Sequence, residues 1–133
     1  MSSLLTHAEA LLRGSTAASQ RRIDNLLYLA QCCSVRSHRL PIFLNEVWPV
    51  PDGVKIARFA PIAHEEPCLD AGHLEAVIDE VMRLFDERSD EAVADVVRAT
   101  DAWKEASQGG WCLAPEVIRD EFVGPIHPWA GLT

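Results

Sequence analysis

Apolar residues recur along this chain at intervals of three and four, the spacing that places them on one face of an α-helix. Leu4, Leu5, Ala8, Leu11 and Leu12 form the first stripe and predict a short helix over 2–12, capped by Ser2 or Ser3 and closed by Gly14. Ser15-Thr16 offers a new cap. Ile23, Leu26, Leu27, Ala30 and Cys33 or Ser34 predict a second helix from about 19 to 37, with Arg21, Arg22, Asp24, Asn25 and Gln31 off that face. Pro41 obliges the chain to leave helical backbone by about Leu40. Leu74, Val77, Ile78, Val81, Leu84 and Phe85 give the most regular stripe, on a helix over about 71–87 capped by Asp70. Ser89 caps a helix over about 90–100 whose buried face is Ala92, Val93, Val96 and Val97. Asp90 and Glu91 stand in its first turn, where the helix dipole favours acid. Asp101 is expected to cap a last turn carrying Trp103 and Ala106, which Gly109-Gly110 ends. Pro115 fits the first position of a closing helix to about Val123, with Val117, Ile118 and Phe122 on its apolar side.

Between residues 42 and 61 the helical period is lost, and Pro49, Pro51 and Pro61 exclude a long helix. Pro51-Asp52-Gly53 is a turn: proline fixes one φ, aspartate can bond the backbone, and glycine tolerates positive φ. Residues 54–59 partly alternate apolar and polar, so a small hairpin of 46–49 against 54–59 fits; a single helical turn is the competing reading. Ile42, Phe43, Val47, Trp48, Val54, Ile56 and Phe59 are its apolar anchors, and 62–73 reads as a polar loop around Pro67. The expected fold is therefore mainly α: one helical-bundle domain with an irregular or hairpin segment around 42–61. Its core spans about 19–123, flanked by the helix over 2–12 and a tail over 124–133.

Composition narrows the function classes. A chain of 133 residues suits one domain with a sizeable core, and 48% apolar with 24% charged residues is ordinary for a globular protein. Twelve basic against 20 acidic residues give a net charge of −8, which argues against direct nucleic-acid binding, because phosphates are met by lysine and arginine. The same field would speed encounter with a basic protein partner. No run of 18 apolar residues suggests a membrane span, and residues 1–7 lack the pattern of a signal peptide. A cytoplasmic location with reduced cysteines is expected.

Candidate chemistry is sparse. Cys32-Cys33 with His38, Cys68 with His73, and Cys112 with His127 invite a metal, but no Cys-x-x-Cys or spaced His pair is present. Adjacent helical residues point about 100° apart, so Cys32 and Cys33 do not readily share one ion, and Cys33 reads better as core. No phosphate loop, nucleophile elbow or His-Glu-x-x-His occurs, and the acidic pairs Glu65-Glu66, Asp79-Glu80 and Asp86-Glu87 read as solvated charges. The expectation is a protein without catalytic residues, metal or cofactor. Four tryptophans stand out. Trp48 and Trp103 sit among apolar residues as core candidates, whereas Trp111 and Trp129 lie beside glycine or proline, where they could dock a partner or strap the core. Trp48, Asp52, Trp111 and Trp129 are the candidate partner-binding residues.

The order of short motifs from about Arg22 to Phe122 resembles the Panacea (SocA-like) antitoxin domain. The motifs are Leu26-Leu27-Tyr28-Leu29-Ala30-Gln31, then Arg39-Leu40-Pro41-Ile42-Phe43, Val47-Trp48, the charged helix 74–88, Trp103-Lys104-Glu105-Ala106, and the close from Leu113 to Phe122. Leu27, Tyr28, Phe43, Trp48, Trp103 and Phe122 would be its scaffold positions. The family's Gly-Pro-Val element is scrambled into Pro49-Val50-Pro51-Asp52-Gly53-Val54, and Thr100-Asp101 stands where a histidine often precedes the late tryptophan. The resemblance favours a helical turn after Trp48. It implies an antitoxin that neutralises a cognate toxin, encoded by a neighbouring gene, by direct binding. The alternatives are a phage or bacterial accessory interaction protein, or an adaptor to a protease, on the same scaffold; a small metal-dependent enzyme is the remotest.

Overall fold

The computed structural model describes residues 4–14, 18–58 and 68–122. In chain order they form α1 (Leu4–Arg13), α2 (Gln20–His38), β1 (Val47–Val50), β2 (Gly53–Ile56), α3 (Ala71–Phe85), α4 (Asp90–Arg98), α5 (Asp101–Gly109) and α6 (Pro115–Phe122). The fold is mainly helical with one antiparallel hairpin. The predicted caps at Ser2, Ser3, Ser15 and Thr16, the anchor Phe59, the loop around Pro67 and the tail with Trp129 lie outside the described residues.

The central element is α2. Helices α1, α3, α4 and α6 and strand β2 all pack on it, and every residue from Ile23 to Val35 is buried. This corrects the amphipathic reading, because Asp24, Asn25 and Gln31 are buried with the apolar residues. A buried polar group must find partners or cost stability, and each of these three holds a different neighbour. Asn25 Nδ2 donates to the Asp52 carbonyl at 3.0 Å, and its Oδ1 accepts from the Val54 N–H at 2.9 Å. Gln31 Nε2 donates to the Phe43 carbonyl at 2.9 Å while its Oε1 accepts from the Ile42 N–H at 2.7 Å, pinning the corner after Pro41. Asp24 Oδ1 accepts from Arg58 Nη2 at 2.7 Å and its Oδ2 from the Ile56 N–H at 3.3 Å. Buried Tyr28 completes the set, its hydroxyl 3.0 Å from that of Thr100.

The hairpin pairs Val47 with Ile56 and Trp48 with Lys55. It occupies the place where the family resemblance favours a helical turn. Because successive residues of a strand face opposite sides, burial of Val47 and Ile56 sends Trp48 outward. Trp48 is 40% exposed and so is not core; its indole N–H donates to Glu46 Oε1 at 3.1 Å. Trp103 is partly buried against the core and donates its indole N–H to the Gly53 carbonyl at 2.6 Å. A second correction concerns α5. Thr100, not Asp101, is its N-cap, with extended backbone and a side chain accepting from the Trp103 N–H at 3.3 Å, so α5 is a nine-residue helix rather than a last turn.

Arg58 bridges α1 and α2, reaching Glu9 at 2.8 Å and Asp24 at 2.7 Å. Burial acts to raise the Glu9 pKa, but hydrogen bonds and charge from Arg58 and Arg13 outweigh it and hold the carboxyl below its ordinary 4.5. A carboxyl whose folded pKa is depressed stabilises the fold above the unfolded value and loses that contribution as pH falls through the folded one. Arg58→Gln should therefore be less stable than the parent at pH 6, with the gap narrowing below about pH 4.5 as Glu9 protonates. Urea midpoints at several pH values test this, and a gap that does not change with pH would contradict it.

Candidate functional site

The closing third of the chain contributes the exposed Trp111 and a group of acidic side chains beside it. After α5, Gly110 takes a left-handed φ of 75° as C-cap and turns the chain back. The Leu113 N–H then donates to the Val47 carbonyl at 2.7 Å, tying the segment 111–113 to β1. Glu46 acts on both sides of this junction: it accepts from Trp48, and burial together with its charge raises the Cys112 thiol pKa. Trp111 is 50% exposed. Its ring lies against Gly109, where an added Cβ would come within 2.2 Å of Cζ3.

Trp111 borders a cleft of about 250 Å³ between α5 and α6, with Asp101, Glu105, Val117, Asp120 and Glu121 among its walls. Glu121 is bound to the fold by its carboxylate, which accepts from the backbone N–H groups of Asp101 at 2.7 Å and Ala102 at 2.8 Å and so caps α5 from α6. Burial raises the Glu121 pKa, these two hydrogen bonds lower it, and the charges of Asp101 and Glu105 push it up again, leaving it above its ordinary value.

Trp48 on β1 and Trp111 after α5 thus belong to segments tied together by the Leu113–Val47 hydrogen bond, whereas Asp52 does not join them. It stands at the hairpin tip, 3.7 Å from Arg21 of α2, beside the contact of Arg98 with the Pro51 carbonyl at 2.8 Å. Of the scaffold positions, Leu27, Tyr28, Phe43 and Phe122 are buried. The acidic walls of the cleft were not among the sequence-derived candidates. Their signal is the spacing of Asp101 and Glu105, four apart on one helix face, which becomes informative only when Asp120 and Glu121 fold beside it.

The cysteine and histidine readings separate. Cys32 and Cys33 are buried, and burial pushes the Cys33 thiol up to about 12 and the Cys32 thiol well above its ordinary range, which favours the protonated thiol in both near neutral pH. His38 and His73, which the sequence pairs with different cysteines, meet each other instead, with ring centroids 4.9 Å apart and planes tilted by 47°. His127 lies outside the described residues. Among the described residues, no three His, Cys, Asp or Glu side chains converge as metal ligands would. No helix among them is long and apolar enough to cross a membrane.

No protein-family model, no curated protein and no solved structure matches the chain.

Proposed function

We propose that the protein is a binding protein of the antitoxin type, which neutralises a cognate toxin by direct contact through the face around Trp48 and Trp111. The observation that carries this reading is the exposure of these two large aromatics, at 40% and 50%, on two segments of an acidic protein that the Leu113–Val47 hydrogen bond ties together. Tryptophan buries a large area at small conformational cost, and a few such residues dominate the affinity of typical interfaces. The net charge of −8 favours a basic partner, and the ordered resemblance to the Panacea domain supports a toxin as that partner.

The test is co-expression with the product of the neighbouring gene. A co-purifying complex and rescue of growth are expected. Trp48→Ala and Trp111→Ala should each weaken the complex about tenfold or more while leaving the helical circular dichroism unchanged. If the neighbour gives neither a complex nor rescue, the reading is wrong.

A further inference from the structure

The cleft between α5 and α6 is built against its own charge. Asp101, Glu105, Asp120 and Glu121 line it, and none of its described lining residues is cationic. Glu121 is drawn inward by its two backbone hydrogen bonds to the start of α5, which brings it close to Asp101 and Glu105. Burial and the resulting repulsion lift its pKa, so the free protein holds the Glu121 carboxylate at an electrostatic cost. Groups set against one another in a cleft in this way mark functional sites more often than chance allows. The geometry of Trp111 is a separate observation. The ring is seated in the cleft wall because residue 109 has no side chain; any Cβ there would overlap the ring at 2.2 Å from Cζ3. The site therefore offers an aromatic surface, an apolar contact at Val117 and carboxylates around them.

We propose that this cleft receives an arginine side chain from a basic protein partner. A guanidinium is planar, stacks on an indole face and presents forked donors to carboxylates. Its charge would offset the repulsion that Glu121 meets from Asp101 and Glu105, and its methylene stem would lie along Val117. The proposal deepens the binding-protein reading, on which it rests for the identity of the partner, but the cleft is testable by itself.

The probe is the peptide acetyl-Gly-Arg-Gly-Arg-Gly-amide, compared with the same peptide carrying uncharged citrulline. Indole N–H resonances of the full chain report binding, with Trp111 assigned through Trp111→Phe. The arginine peptide should shift the Trp111 resonance saturably at millimolar concentration, and the citrulline peptide should not. Gly109→Ala keeps every charge and favours the helix, yet displaces the ring; it should weaken binding about tenfold or more with no loss of stability. Glu105→Gln combined with Asp120→Asn should weaken it similarly and flatten its salt dependence. Equal shifts by the two peptides, no shift at millimolar arginine peptide, or unchanged binding in Gly109→Ala would overturn the assignment. A toxin complex unaffected by Gly109→Ala would also remove the cleft while leaving the antitoxin reading intact. Arginine binding in a protein that forms no toxin complex would do the reverse.

Discussion

Replacing Gly53 by alanine is expected to destabilise the protein by about 3–5 kcal/mol, the sum of backbone strain and the loss of the two hydrogen bonds made by the Asn25 side chain. Gly53 opens β2 with a φ of 127°, a conformation that side-chain-bearing residues rarely adopt. The space beside it is already taken: an added Cβ would stand 2.1 Å from Asn25 Oδ1. Asn25 has no free direction in which to retreat, because its amide is held by the Asp52 carbonyl and the Val54 N–H. Trp103 donates to the carbonyl of the same glycine, so the strain would also reach α5. The check is the urea midpoint of Gly53→Ala against that of Asn25→Ala. The second variant removes the clash partner but leaves the buried Val54 N–H without its acceptor, and should cost about 1–3 kcal/mol. The double variant should be less destabilised than the sum of the two, because removal of Asn25 relieves the overlap. Simple additivity would show that the clash is not the source of the cost.

That pair also shows what the sequence disclosed and what it withheld. The turn at Pro51-Asp52-Gly53 was legible because proline and glycine act through local backbone sterics. So were two helix caps: Asp70 and Ser89 cap α3 and α4 as their spacing from the apolar stripes predicts. The role of Asn25 was not legible, because periodicity records residue polarity and α2 is enclosed on all sides. A helix in that position can carry asparagine, glutamine and aspartate inward, provided each meets a particular backbone group of another element. Those partners lie 27 residues away for Asn25 and 12 for Gln31, beyond any local pattern. Trp48 failed for a related reason. An apolar neighbourhood predicts burial, but the pleat allots the inward position to Val47, and register depends on the whole hairpin. The exposed Trp111 was legible as a candidate from its glycine neighbours, whereas the acidic cleft beside it required α5 and α6 to be brought together.

Phe122→Ala is expected to cost about 3–5 kcal/mol, the range for truncating a buried aromatic whose cavity cannot collapse. Phe122 is fully buried at the end of α6, which packs on the central helix α2. The enclosure of α2 by several elements leaves little freedom for neighbours to close the void. Glu121 precedes Phe122 and caps α5 through two backbone N–H groups, so loss of the phenyl anchor should loosen α5 as well. Phe122→Leu, which retains most of the volume, should cost less than about 1.5 kcal/mol. Denaturant unfolding would show a lower midpoint with an unchanged slope if the variant still folds as one unit. The sharper measurement is amide hydrogen exchange at Asp101 and Ala102, whose N–H groups depend on Glu121. Faster exchange there than in α3 would place Phe122 as the anchor of the α5–α6 face, and so of the cleft beside Trp111. Equal acceleration in both regions would instead assign Phe122 only a general share in the core.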